Sequence, residues 1–164
     1  MLDVKRNLTT IMDFYELTMA AGYLEEGYED KISVFDMFFR KIPDGGGFAI
    51  MAGLDTFIDA VENLKFTTED IDYLRGTGVF NERFLEYLSH FELHCNIWAI
   101  PEGTPIFPRE PIVTVEGPSI ECQLLETLLL VTINHQCLVA TKANRIVRSA
   151  QGRPVMEFGA RRAQ

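Results

Sequence analysis

Apolar residues recur at helical spacing in the first part of the chain. Within residues 9–25, Ile11 and Tyr15 fall on one stripe of a helix. Thr10, followed three residues later by Asp13, resembles an N-terminal cap with an acid in the first turn. The pattern therefore predicts an amphipathic helix over residues 9–25.

Three further short helices are predicted in the first half. Gly53 opens a helix whose apolar positions continue to Leu64. Thr67 caps a second helix, and the acids that follow it lie where the helix dipole favours negative charge. Asn81 caps a third helix that runs to about Ser89. We expect these three helices to pack in series.

Short apolar runs bounded by proline, glycine and charged residues predict strands. They cover residues 32–39, 48–51, 95–100, 105–107 and 112–115. The last three are separated by tight turns, which indicates a small antiparallel β unit. Between the first two lies the loop Pro43-Asp44-Gly45-Gly46-Gly47, whose three glycines leave the backbone free to approach another group closely.

The final third is predicted to consist of long helices and one last strand. Ser119 is expected to cap a helical stretch, with Asn134-His135 as a candidate interruption, and Gly152 ends it. Val155 to Phe158 then resembles a short buried strand. A terminal strand needs neighbours to pair with, so we expect the natural protein to continue beyond residue 164.

This order of elements predicts two regions. Residues 1–118 form a mixed α+β domain, and residues 119–164 contribute long helices and the first strand of a second domain. At 164 residues, the chain is long enough for one domain with a substantial core plus the opening of another.

Composition indicates a folded protein without a nucleic-acid surface. Apolar residues make up 47% and charged residues 24% of the chain, the usual balance of soluble globular proteins. A net charge of −9 opposes nucleic-acid binding, which needs clustered lysine and arginine. Residues 142–162 depart from this balance, because several basic residues there accompany a single acid, Glu157. An acidic body with a basic end favours a local anion site.

The cysteines and the termini predict a cytoplasmic protein. Three cysteines without CxxC spacing indicate neither a disulfide framework nor a zinc site. No apolar segment of a secretory signal follows Met1. The most apolar stretch, residues 124–137, is interrupted by polar side chains and is judged too short and too polar to span a membrane.

Candidate binding residues lie near predicted element ends. Gly159 lets the chain turn after the last strand, so that Arg161 emerges beyond its carboxyl end, where α/β folds bind ligands. Guanidinium groups suit phosphate or carboxylate, and Phe158 offers a ring face to a planar group. Arg40 follows a strand in a similar way, and Tyr15 lies near the start of the first helix. Taken singly, the arginines are more typical of ordinary surface residues, and the aromatics are more typical of core residues.

Other catalytic patterns are absent from the sequence. The three histidines are too scattered to form a predicted metal cluster, and no serine lies in a G-x-S-x-G turn. The glycine loop is not a Walker A loop, because no Gly-Lys-Ser/Thr follows it.

Ordered motifs along the chain together resemble the nicotinate phosphoribosyltransferase family, and they cover essentially the whole chain. They are Ile11-Met12-Asp13-Phe14-Tyr15-Glu16-Leu17-Thr18-Met19-Ala20, Phe38-Phe39-Arg40-Lys41, the turns Pro101-Glu102-Gly103-Thr104-Pro105 and Pro108-Arg109-Glu110-Pro111, Gln123-Leu124-Leu125-Glu126-Thr127, Ala140-Thr141-Lys142-Ala143 and Glu157-Phe158-Gly159-Ala160-Arg161-Arg162-Ala163-Gln164. Met12 departs from the pattern, since family members commonly have threonine there.

The resemblance implies a fold and a reaction. The fold is the α+β N-terminal domain of a type II phosphoribosyltransferase, ending at the first strand of an incomplete α/β barrel. The reaction joins nicotinate to 5-phosphoribosyl 1-pyrophosphate (PRPP), giving nicotinate mononucleotide and pyrophosphate in NAD salvage. The full-length enzyme couples it to ATP hydrolysis with Mg²⁺.

The resemblance also implies residue roles. Phe158 would be one face of a sandwich around the pyridine ring, and Tyr15 would be the other, reaching in from the second subunit of a homodimer. Arg161 would contact nicotinate or the sugar phosphate, and Arg40 would bind phosphate. No catalytic residue and no metal ligand is expected within the chain, since the phosphorylated histidine of the family lies downstream. The 164-residue chain alone is therefore expected to be inactive.

Two alternatives stay open from the sequence. One is a related phosphoribosyltransferase that uses nicotinamide or quinolinate. The other is a truncated, non-catalytic subunit or interaction domain that pairs with an intact subunit.

Overall fold

The computed structural model describes residues 7–159 and shows α-helices packed with two small antiparallel sheets. The α+β class is confirmed. The elements are α1 (Phe14–Glu25), β1 (Ile32–Met37), a 3-10 turn (Pro43–Gly45), β2 (Ala49–Ile50), α2 (Leu54–Glu62), α3 (Thr68–Gly76), α4 (Glu82–Ser89), β3 (Asn96–Ala99), β4 (Pro105–Ile106), β5 (Val113–Pro118), α5 (Ser119–Leu124) and α6 (Glu126–Ala150).

The five strands predicted between residues 32 and 115 form, but their pairing differs from the expected local unit. β5 lies between β1 and β3 in a three-stranded sheet, and β4 pairs with β2. In the larger sheet, Val115 lies opposite Phe35 on one side and Ile97 on the other. Strands distant in sequence therefore meet, because their inward-facing apolar side chains share one core.

Two hydrophobic clusters hold these elements together. The first cluster joins the inner face of the sheets to α2 and α6, with Met51, Phe57 and Ile133 fully or almost fully buried. The second cluster joins α1, α3, α4 and α5 around Phe84 and Leu88. Because α5 contributes Cys122 to the first cluster and Ile120 and Leu124 to the second, it connects the two halves of the fold. The proposed domain boundary between residues 118 and 119 stays a prediction.

Helix starts follow the sequence signals where the cap is local. Thr67 and Asp70 form a reciprocal capping box at the start of α3. The Asn81 side chain accepts from the Phe84 amide at 2.9 Å and caps α4. Helix α1 begins at Phe14, with Asp13 rather than Thr10 in the cap position.

The start of the long helices differs from the prediction. Ser119 does not cap α5. Its hydroxyl instead lies 2.7 Å from the Ser33 hydroxyl and donates to the Lys31 carbonyl oxygen. Helix α6 runs without interruption past Asn134, and the chain bends earlier, at Leu125.

The prediction of a buried strand over Val155–Phe158 was wrong for the described residues. They form no strand, and Met156 and Phe158 are 79% and 74% exposed. Within residues 7–159, no strand runs beside this segment to supply ladder hydrogen bonds.

The continuous helical stretch Ser119–Ala150 is long and apolar enough to cross a bilayer by length and composition. The expectation that residues 124–137 are too short and too polar to span a membrane missed that they belong to this longer helical stretch, which polar Asn134 does not break. However, 44% of its most apolar window is buried inside the fold, where Leu128, Ile133 and Cys137 line the first cluster. Packing in the core accounts for the apolar character of the buried part of this window.

Candidate functional site

The start of α1 contacts the start of α6 through a polar arrangement, which we call the α1–α6 corner. It consists of Asp13, Tyr15, Glu16, Glu126 and Thr127. The Thr127 amide and hydroxyl both donate to Glu16 Oε1, the amide at 3.0 Å. The Asp13 amide in turn donates to Thr127 Oγ1 at 3.3 Å. Residues more than a hundred positions apart are thereby joined.

Tyr15 is an exposed member of the corner, as is Asp13. Its side chain is 44% exposed, and neighbouring Phe14 and Met19 are exposed to a similar extent. Burial of the hydroxyl, together with its hydrogen bond to Glu126 and the charge of that carboxylate, raises the pKa of Tyr15 to about 12. The hydroxyl is therefore protonated at neutral pH and the ring is available to a partner.

Glu16 is fully buried beside it. Burial raises the pKa of this carboxyl, and the two hydrogen bonds from Thr127 oppose the shift. A cleft of about 310 Å³ adjoins the corner and runs between β1 and the start of α6, with Asp36 and Glu126 at its polar positions.

Arg40 lies in a second region, at the loops that follow β1. It is exposed, as is Lys41 beside it. The amide of Arg109 donates to the Phe39 carbonyl oxygen at 2.7 Å, which brings the Arg109 backbone next to Arg40. Arg109 adopts a left-handed φ of 65°. These basic residues make the loop region suitable for an anion.

The glycine loop packs against α6 in the same region. Arg145 pairs with Asp44 at 3.4 Å. A Cβ added to Gly46 would lie 1.9 Å from the Arg145 guanidinium nitrogen Nη2, so any larger residue at this position would displace Arg145. The group that the glycine loop approaches is therefore an arginine of this same chain.

The structure does not join the predicted site residues to one another. Among residues 7–159, no hydrogen bond, ion pair or ring contact links Tyr15, Arg40 and Phe158. The Phe158 ring is exposed on the segment after α6. Arg161 lies outside the described residues. The site assignments therefore stay predictions.

Sequence reasoning missed the residues that organise these regions. Glu16 and Thr127 lay inside recognised motifs but had no assigned role. Glu102 accepts from the amides of Gly53 and Leu54, both at 2.6 Å, and so caps α2 from a distant turn. The acidic type of Glu102 and Glu16 was visible in the sequence, but their partners were not, because each partner lies about 50 or more positions away.

The described residues offer no fit to a metal ion. Within residues 7–159, no three His, Cys, Asp or Glu side chains converge in an arrangement that could hold one. Mg²⁺ requires near-octahedral oxygen ligands. The chemistry proposed below therefore assigns Mg²⁺ to no described residue.

Comparison with known families gives a match over most of the chain. A family profile described as the nicotinate phosphoribosyltransferase (NAPRTase) N-terminal domain matches residues 10–134. A nicotinate phosphoribosyltransferase of Mycobacterium tuberculosis, pncB2, is 46% identical over 92% of the chain. A Bacillus subtilis nicotinate phosphoribosyltransferase is 40% identical over 96% of it. The chain spans about a third of the length of these relatives, 32% of each.

Solved structures agree with this match. The crystal structure of human nicotinic acid phosphoribosyltransferase superposes with a TM-score of 0.83 at 35% identity, covering 93% of this chain and 31% of the human one. A nicotinate-nucleotide pyrophosphorylase from Pyrococcus furiosus superposes at 0.70 with 23% identity, which shows a shared fold.

Proposed function

This chain belongs to the nicotinate phosphoribosyltransferase family, and we propose that the protein at its natural length transfers the phosphoribosyl group of PRPP to nicotinate. The products are nicotinate mononucleotide and pyrophosphate, and the reaction is coupled to ATP hydrolysis in the cytoplasm. The observation that carries the proposal is the family match over residues 10–134, which includes the whole α1–α6 corner.

Tyr15 has the properties of one face of a pyridine-binding sandwich. Its ring is exposed at the start of α1, and its hydroxyl is neutral at physiological pH, as it is for a tyrosine of ordinary pKa. A neutral, exposed ring can stack on a flat aromatic acid, with a gain of about 0.5–1.5 kcal/mol beyond simple burial. We assign Phe158, 74% exposed, to the opposite face.

The two faces belong to different subunits in this proposal. Tyr15 and Phe158 make no contact with each other within the described chain, so a homodimer would supply each site with one ring from each subunit. Exposed apolar neighbours of Tyr15 support an interface there, namely Ile11, Phe14 and Met19.

The arginines are assigned to the anionic parts of the substrates. Arg40, exposed beside Arg109, suits the phosphates of PRPP, and Arg161 suits the nicotinate carboxylate or the sugar phosphate. During transfer, the bond from the anomeric carbon to pyrophosphate breaks as the bond to the pyridine nitrogen forms. Positioning the ring and stabilising the departing charge supply most of the rate enhancement. The phosphorylated histidine that couples ATP is assigned to none of His90, His94 and His135.

The test is product formation by the natural-length protein supplied with PRPP, ATP, Mg²⁺ and labelled nicotinate. We expect nicotinate mononucleotide to form, and unlabelled nicotinamide or quinolinate to compete poorly. Preferential use of either competitor would show instead that the protein is a related phosphoribosyltransferase that uses nicotinamide or quinolinate. Complete absence of pyridine nucleotide products would replace it with a non-catalytic interaction role.

The 164-residue chain provides a second arm of the same assay. Tyr15 and Phe158 lie on it, whereas no residue of the chain is assigned to phosphoryl transfer. We expect no turnover from it alone, and measurable nicotinate mononucleotide formation would contradict this expectation.

A further inference from the structure

Glu16 is buried next to the exposed ring of Tyr15. It is 0% exposed, although the adjacent Tyr15 is 44% exposed. Both bonds to its Oε1 come from Thr127, in the first turn of α6. A carboxylate at this point also meets the partial positive charge of the helix N-terminus. Glu16 therefore fastens α1 to one turn of α6.

The contacts form a closed clamp. The Thr127 hydroxyl donates a hydrogen bond to Glu16 Oε1, and its oxygen accepts one from the Asp13 amide. The Glu16 amide itself donates to the Asp13 carbonyl oxygen at 3.0 Å. These bonds tie the first turn of α1 to the first turn of α6, while Leu17, Ala20 and Leu24 hold the rest of α1 in the second cluster.

A buried glutamate is not the most stable side chain for the position of Glu16. Glu16 Oε2 is buried and lacks a hydrogen-bond partner within the described part of the chain. Burying an unpaired carboxylate oxygen is unfavourable, and an apolar side chain of similar volume would avoid that cost. The carboxyl group is therefore better explained by the orientation it imposes than by stability.

That orientation acts on Tyr15. Successive residues of a helix project about 100° apart, so holding Glu16 inward sets the direction in which Tyr15 leaves the helix. The Tyr15 hydroxyl meets Glu126, the residue before Thr127, so the same turn of α6 holds both side chains. Precise binding sites need such supporting residues, because misplacements of about 0.5 Å already weaken them.

We propose that Glu16, through Thr127, is a positioning residue that holds the Tyr15 ring in the geometry required to stack on nicotinate. The proposal rests on the function proposed above. It assigns Glu16 no contact with either substrate.

The experiment compares steady-state kinetics of natural-length variants. Glu16→Ala should raise the KM for nicotinate about tenfold while leaving the KM for PRPP within about twofold of wild type. Glu16→Gln should restore most of the nicotinate KM, since its amide oxygen can still accept from Thr127. Glu26→Ala, at the exposed far end of α1, is the matched control and should behave as wild type.

A double variant separates positioning from general destabilisation. In a Tyr15→Ala background, Glu16→Ala should add no further rise in nicotinate KM, because the ring it positions is gone. If Glu16→Ala does not fold, Thr127→Val tests the same clamp, since it replaces the hydroxyl by a methyl group and leaves the amide in place. A several-fold rise in nicotinate KM is expected.

The outcomes are distinct. The positioning role would be overturned by an unchanged nicotinate KM in Glu16→Ala, or in Thr127→Val where Glu16→Ala does not fold. It would also be overturned by equal rises in the KM values for nicotinate and PRPP, or by full additivity of Glu16→Ala with Tyr15→Ala. Absence of nicotinate mononucleotide formation by the wild-type protein would instead overturn the proposed function itself, and the positioning role with it.

Discussion

His94 and Glu121 form an ion pair that links the segment after α4 to α5. The Glu121 side chain is buried and accepts from the His94 amide at 2.5 Å and from Nδ1 at 3.1 Å. The hydrogen bond and charge of Glu121 raise the pKa of His94. The imidazole ring is largely exposed, so solvent screens the pair.

This pair predicts a pH dependence of stability. A histidine whose folded pKa is raised stabilises the protein most below its unfolded pKa of about 6.5, and this contribution disappears as pH rises through the folded pKa. The free energy of unfolding of wild type minus that of His94→Ala should therefore shrink from pH 5.5 to 8.5 in urea titrations. His90→Ala is the control, because His90 contacts the carbonyl of Glu86 rather than an acid. A difference that stays flat or grows with pH would contradict the role of His94.

Phe158 predicts a specific kinetic effect at the residue scale. Phe158→Ala in the natural-length protein should raise the nicotinate KM about tenfold or more, because it removes one stacking face. Met156→Ala is the matched control, since Met156 is equally exposed on the same segment. An unchanged nicotinate KM in Phe158→Ala would remove the stacking assignment.

At the scale of elements, helix α2 depends on a distant carboxylate. Gly53 precedes it with a left-handed φ of 99°, which favours glycine, and has no side chain to cap the helix. Glu102 supplies the missing acceptor. A Cβ on Gly53 would also lie 2.6 Å from the Thr132 carbonyl oxygen, so α2 and α6 approach closely there.

Removing this cap should destabilise the fold measurably. Glu102→Ala is expected to lower the free energy of unfolding by about 1–2 kcal/mol, as for loss of other N-caps. Glu110→Ala, an exposed glutamate in a neighbouring turn, should change it by less than about 0.5 kcal/mol. Chemical denaturation of the two variants side by side measures the difference, and equal effects would contradict the capping role.

The sequence predicted the features that depend on local contacts better than those that depend on distant partners. The cap residues Thr67 and Asn81 lie three positions from the amides that they bind, so the sequence alone indicated where those helices begin. Ser119 looked like the same kind of cap, but its hydroxyl binds Lys31, 88 positions away. The failed strand at residues 155–158 has the same cause, since strand formation depends on a neighbour that local sequence does not specify.

The candidate site shows the same division. The aromatic rings and the arginines could be named as candidates from the sequence, because the chemistry that suggests their role is carried by the side chain itself. Glu16 could not, because the contact that draws attention to it is made with Thr127, 111 positions away.

At the scale of the molecule, two of the exposed apolar surfaces of residues 7–159 lie on helices. One follows α1, where Tyr15 and Met19, four residues apart, lie on the same face of the helix. The other follows the second half of α6, with Val139, Ile146 and Val147 exposed. Contiguous apolar patches of this kind mark interaction surfaces more often than single exposed residues do.

The α1 surface predicts how the protein assembles. If Tyr15 reaches the site of a second subunit, a charge at Met19 must be desolvated in the interface without a partner, so Met19→Glu should weaken the dimer roughly tenfold or more. Tyr73→Glu is the control, because Tyr73 is 73% exposed on α3 and belongs to no proposed interface. Sedimentation velocity across a concentration series of the natural-length protein measures both dissociation constants. Since the proposed site takes a ring from each subunit, nicotinate turnover of Met19→Glu should fall with dilution in step with the loss of dimer. A fully active monomer would show that each subunit completes its own site.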